Sequence, residues 1–178
     1  MSHAVDHVVD LQATIEEAPA LAERVVTNLL SREIILPMPQ AHEYLTGGPR
    51  YATGPNVGTV ADFNDCFLCG LDVKIGRCVY DAGENVLHSF TCPKCEHSHN
   101  PDDLEWASAI GEWFHGKQGL LECRNCGDKS PITDWRLSPV WGFGDLAFSF
   151  SEWLLKEEFV RELSQLLGHR VAWVRAHY

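Results

Sequence analysis

Residues 92–127, CPKCEHSHNPDDLEWASAIGEWFHGKQGLLECRNCG, are the stretch on which the fold turns. It opens with Cys92-Pro-Lys-Cys95 and closes with Cys123-Arg-Asn-Cys126-Gly127. A C-x-x-C turn points two sulfurs at one place, and a glycine after the second cysteine lets the chain turn back sharply. Two such turns supply the four thiolates of a tetrahedral site, which suits Zn²⁺ through bonds of about 2.3 Å. The predicted ligands are therefore Cys92, Cys95, Cys123 and Cys126, and the predicted cofactor is a structural Zn²⁺. Iron is chemically possible at the same four sulfurs. Between the pairs lie 27 residues, a little more than in the commonest four-cysteine pattern, and a short inserted helix accounts for the excess. Pro101-Asp102-Asp103 opens that helix, with acids in its first turn and Leu104, Trp106, Ala107, Ile110, Trp113 and Phe114 along it. His97 and His99, just past the first knuckle, could replace a sulfur or bind another ion, but the four cysteines already close a tetrahedron and both read as solvated loop residues.

Outward from this segment the chain alternates strands and helices. Upstream, LDVKI (71–75), RCVYD (77–81) and NVLHSF (85–90) read as strands separated by Gly76 and Gly83, an antiparallel meander delivering the chain into Cys92. Further upstream, Leu21, Ala22, Val25, Val26, Leu29 and Leu30 recur at helical spacing behind Pro19, and Ile34-Ile35-Leu36 reads as a short buried strand stopped by Pro37. The first ten residues, with Val5, Val8 and Val9, read as a short strand or a loose arm. Residues 37–62 hold several prolines and glycines with little periodicity and read as a long irregular segment, either functional or a surface strap packed by Tyr44, Leu45 and Tyr51. Downstream, GDLAFSFSEW (144–153) reads as an aromatic strand, residues 156–167 as a helix stopped at Gly168, and HRVAWVRAHY as a final strand. The predicted fold is α+β over a single domain, 1–178: an antiparallel sheet with two or three packed helices. A four-cysteine, zinc-ribbon-like knuckle pair, residues 92–126, is inserted in it.

The remaining cysteines, Cys66, Cys69 and Cys78, would need further ligands such as His88 to make a second metal site. Their apolar setting favours core thiols instead. An odd total of seven cysteines fits a disulfide framework poorly and thiolate chemistry in a reducing compartment better. The N-terminal MSHAVDHVVD lacks the basic and apolar regions of a secretion signal, and no run of about 18 apolar residues occurs. The expected location is cytoplasmic, with no membrane partner.

Several function classes lose support at this point. There is no G-x-x-x-x-G-K-[ST], no G-x-G-x-x-G after a strand and no G-x-S-x-G. His42-Glu43 lacks a following zincin histidine, and Thr91 stands where a zinc deaminase carries proline before its C-x-x-C. A net charge of −11 disfavours nucleic acid, and four thiolates around Zn²⁺ add negative charge. Only Lys117, Arg124 and Lys129 offer a local basic seed.

WGFGDLAFSFSEW (141–153), LGHRVAWVR (167–175), IGRCVYDAG (75–83) and the CPKC…CRNCG pair together resemble a group of uncharacterised small bacterial proteins, some labelled sugar ABC transporter ATPase. The resemblance spans roughly residues 65–178 and implies a shared fold. It implies no activity, because the phosphate loop and Mg²⁺ ligands of an ATPase are missing from the sequence.

Three function classes follow. The first is a non-catalytic, zinc-stabilised protein-binding module of immunity or adaptor type whose partner carries a basic face, as acidity and six tryptophans suggest. Trp106 and Trp113, seven apart on one helix, read as core, whereas Trp135 and Trp141 in DWRLSPVWGFG read as exposed contact residues. The second is an enzyme with a structural zinc, whose candidates His88, Glu112, His115, Asp134, Asp145 and Glu152 share no spacing. The third, least favoured by charge, is a nucleic-acid-binding zinc ribbon.

Overall fold

The computed structural model describes residues 3–37, 50–63 and 69–178. A six-stranded antiparallel sheet forms its centre, built from β1 (Ala4–Asp10), β2 (Ile35–Pro37), β3 (Arg50–Thr53), β5 (Gly70–Tyr80), β11 (Gly142–Ser151) and β13 (Val171–His177). β4 (Ala61–Phe63) pairs with β12 (Trp153–Leu155) outside it. The strand order β13-β1-β11-β5-β3-β2 places the N-terminal strand inside the sheet, paired on both sides. The first ten residues are thus a central strand, and the loose-arm alternative falls. Val8 and Val9 are fully buried because one faces each side of the sheet.

Two helices cover one face. α1 (Ala18–Ser31) buries Leu21, Ala22, Val25 and Leu29, and α3 (Glu157–Leu167) buries Phe159, Val160, Leu163 and Leu167. They pack on each other and on Leu71, Val73, Leu146, Phe148 and Phe150 of the sheet. Pro19 sits in the first turn of α1, where its missing N–H has no intrahelical acceptor. Glu157 and Glu158 favour the positive end of α3, and Gly168 at φ 76° ends it in the left-handed conformation. No helix among the described residues is long and apolar enough to cross a membrane.

A second buried cluster lies at the other end of β11. It is built from β6 (Ser89–Thr91), β7 (Ser98–His99), α2 (Trp106–Phe114), β8 (Leu120–Glu122), β9 (Lys129–Pro131) and β10 (Arg136–Ser138). Strands β10-β6-β7 form one small sheet and β8-β9 a hairpin. Phe143 and Val79 join this cluster, whereas Leu146, Phe148 and Phe150 belong to the first, so one long strand serves both cores.

Four segments differ from expectation. Residues 71–81 form no hairpin: β5 is one eleven-residue strand, and Gly76 (φ 106°) lies at an irregularity where β11 shifts register between Gly144 and Leu146. A bulge uses the same glycine freedom as a turn, so the residue alone does not distinguish them. The strand expected over 85–90 shrinks to Ser89–Thr91 and belongs to the small sheet. Pro101-Asp102-Asp103 forms a separate 3₁₀ turn capped by Asn100, and α2 begins only at Trp106. Of the segment expected to be irregular, 50–53 and 61–63 are strands, and residues 38–49, with Tyr44 and Leu45, lie outside those described.

Candidate metal centre

Two hairpins of nearly the same design carry the four cysteines. β6 and β7 flank the first knuckle with Thr91 opposite Ser98, and β8 and β9 flank the second with Glu122 opposite Lys129. In the first, the Glu96 N–H donates to the Cys92 carbonyl (3.1 Å) and the Cys92 N–H to the His97 carbonyl (3.0 Å). In the second, the Gly127 N–H donates to the Cys123 carbonyl and the Cys123 N–H to the Asp128 carbonyl, both at 2.8 Å. Gly127 takes φ 73° at the tight reversal, and Glu96 takes the equivalent place at φ 57°. The first knuckle therefore holds a left-handed non-glycine residue, at a cost of about 1–2 kcal/mol. The Lys94 ammonium ties the hairpins together by a 2.8 Å ion pair with Asp128.

The sulfurs of Cys92, Cys95, Cys123 and Cys126 all lie within 4.8 Å of one another, and none is in a disulfide. Cys92 and Cys126 are 4.0 Å apart, Cys95 and Cys123 3.6 Å. A tetrahedron with metal–sulfur bonds of about 2.3 Å has edges of about 3.8 Å, between these two values. The geometry is compatible with a metal ion bound by all four predicted cysteines. Among the described residues they form the one cluster of this kind.

The surroundings favour negative sulfur. The Lys94 N–H points at Cys92 Sγ (3.4 Å) and the Asn125 amide at Cys95 Sγ (3.5 Å). The His97 backbone N–H, with the Asn125 amide, draws the Cys95 thiol down to about 6. At Cys126 the Asp128 N–H pulls downward, but burial and the three neighbouring sulfurs prevail and push the thiol up to about 12. Without a cation the last thiol resists ionising beside the first, whereas a central dication removes that penalty.

His99, named with His97 as a possible ligand but expected to be a solvated loop residue, is buried beside the site. It is only 6% exposed, and its Nε2 lies 3.2 Å from Cys123 Sγ. It stands beyond the tetrahedron, packed near Trp135, while His97 remains exposed as expected. Strand alternation alone would put His97 and His99 on one face, but β7 begins only at Ser98, so His99 turns inward while His97 stays exposed.

Other candidates are scattered. Cys78 is buried, donates to the Gly144 carbonyl (3.3 Å), and is pushed up to about 12 by burial, as befits a core thiol. Cys69 is buried, and Cys66 lies outside the described residues. His42 and Glu43 also lie outside them. His88, Glu112, His115 and Asp134 are exposed, Asp145 pairs with Arg77, and Glu152 pairs with His3. Of these six, Asp134 and Asp145 line a common cleft, and no two are hydrogen-bonded to each other among the described residues. Trp135, expected to be exposed, is 4% exposed and packs in the second cluster, and Trp141 is half-buried. Both pack into the second cluster, whose apolar lining outweighs the loop-like composition.

Among the described residues, the fold and the site define an α+β protein with three α-helices, antiparallel sheets and a four-cysteine cluster set between two hairpins. The chain matches no protein family, no curated protein and no solved structure.

Proposed function

We propose that the chain is a non-catalytic binding module whose four cysteines hold a structural Zn²⁺. The observation that carries this reading is the sulfur tetrad itself: four thiolates fill every position of a tetrahedral ion and leave none for water or substrate. N–H donors around the sulfurs and the His99 contact support a closed, charge-balanced site.

The proposed partner is a protein with a basic face, as for an immunity or adaptor protein. A groove of about 540 Å³ between α2 and the β8–β9 hairpin supports it. Glu105, Glu112 and Glu122 line the groove with Arg124 and Lys129, and among the described residues only Glu122 of these acids is paired, with Lys129. Exposed Asp102 and Asp103 add further acid just before α2. A net charge of −11 turns nucleic acid away and steers basic proteins inward.

Two measurements test the reading. Elemental analysis of freshly purified protein should find about one zinc per chain, and Cys92→Ser or Cys126→Ser should lose it. Metal-free protein with undiminished stability would sink the metal assignment. A lysine-rich peptide should bind more weakly as salt rises and when Glu105 and Glu112 are both changed to Gln. Equal binding of a glutamate-rich peptide would remove the basic partner.

A further inference from the structure

We propose that a second cleft, on the side of the sheet where the two clusters meet, binds a small organic anion made of a flat ring and an acidic group. The cleft has a volume of about 730 Å³ and lies between the 133–145 segment, the turn after β1, and the start of β13. That size falls within the roughly 300–1,000 Å³ of small-molecule sites, and a junction between two cores is a usual place for one.

Its aromatic wall is fixed in advance. The Trp113 ring meets Phe143 edge-on, with centroids 5.4 Å apart, and carries the Arg77 guanidinium 4.5 Å from its centroid. Trp141 is held edge-on by Trp106, with centroids 5.8 Å apart. Half-buried indoles braced in this way offer a flat apolar surface at little entropic cost.

Charge selects the other half of the ligand. Elsewhere, Arg32, Arg50, Arg77 and Arg161 meet carboxylates, Arg24 meets a backbone carbonyl and Arg175 covers a tryptophan, and only exposed Arg124 lacks such a partner among the described residues. Arg136 and Arg170 line this cleft, and their guanidinium groups have no such partner among the described residues. Asp145, also in the lining, is neutralised by Arg77 at 3.2 Å. Asp134 is then the one unpaired lining acid against two unpaired guanidinium groups, so the local balance is positive in a chain of −11. Guanidinium groups bind carboxylate and phosphate through paired, charge-assisted hydrogen bonds. A phosphate ester of a nucleoside and an aromatic carboxylate share this chemistry.

Calorimetric titration of the full-length, metal-replete chain tests it with two matched pairs: adenosine monophosphate against adenosine, and indole-3-acetate against indole-3-acetamide. At least one anion should bind about tenfold or more tightly than its neutral counterpart. Arg136→Gln and Arg170→Gln should each weaken that anion about tenfold at unchanged melting temperature, while Arg124→Gln, outside the cleft, should not. Preference for the nucleotide identifies a phosphate ester as the ligand class, and preference for indole-3-acetate a carboxylate. Binding of neither anion, including the case of a cleft reserved for a protein segment, overturns the proposal. Neutral partners that bind equally well, or arginine variants that bind like the parent, also overturn it.

Discussion

His7 sits in the middle of the central sheet, 4% exposed, with Nδ1 2.7 Å from Ser149 Oγ and its ring stacked 4.1 Å from Tyr80. The pairing registers continue this level through Ser149 and Asp72 to Arg50, a polar row running across four strands. Burial holds the His7 imidazole down to about 4, against an ordinary value of 6.5. The folded protein therefore binds this proton less readily than the unfolded chain does. The stability His7 contributes is complete above about pH 6.5 and is lost as pH falls toward 4, by up to ~3 kcal/mol. Asp6, raised by burial, acts in the opposite direction, so the His7 share is read as the difference between parent and His7→Gln in urea unfolding from pH 7.5 to 4. A constant difference across that range would refute the assignment. Cys78→Ser is a second test at this scale: its sulfur donates to Gly144 and stands apart from the sulfur tetrad, so zinc content should stay at the parent level.

Among the elements, the contact between α2 and the second knuckle depends on one glycine. Gly119 lies at φ 60°, and a Cβ there would stand 2.5 Å from the Ala109 carbonyl oxygen and 2.7 Å from Trp113 Cβ. Gly119→Ala would both strain the backbone and push the helix away, and should cost about 2 kcal/mol or more in urea unfolding. A loss below about 0.5 kcal/mol, the level of ordinary surface substitutions, would show that α2 is not held there. The same scale shows what the sequence could reveal. α1 and α3 were legible because each repeats its apolar residues at helical spacing between recognisable ends, Pro19 for one and Gly168 for the other. The cysteine pairs were legible because four thiols at that spacing have few other uses. Strand partners were not: nothing local in Val5, Val8 and Val9 says that β1 lies between β11 and β13. Gly76 gave no sign of whether it ended a strand or bulged it, and Trp135 became core through residues remote in sequence.

Across the whole molecule, the two larger apolar clusters among the described residues differ in what holds them. The first fills the space between the six-stranded sheet and two helices with large buried side chains such as Phe148, Phe150, Trp153 and Leu163. The second is assembled from two- and three-residue strands and a nine-residue helix, and two of the thiol-bearing residues, Cys92 and Cys123, are themselves part of its core. Segments this small seldom bury enough surface to fold without a cross-link or a metal. Removing the proposed ion would leave four sulfurs about 4 Å apart that resist ionising together, and the binding energy of such a site is folding energy. Chelation should therefore open residues 89–138 while the large sheet stays formed. Hydrogen exchange followed by mass spectrometry would show it as lost protection in β6 to β10, with amides of β1 and the Leu146–Ser151 half of β11 still slow. Val79 and Phe143, which pack into the second cluster, should mark the boundary by exchanging at intermediate rates. Loss of protection through the whole chain at one rate would instead mean that β5 and β11 couple both clusters into a single cooperative unit, with the metal holding the entire fold.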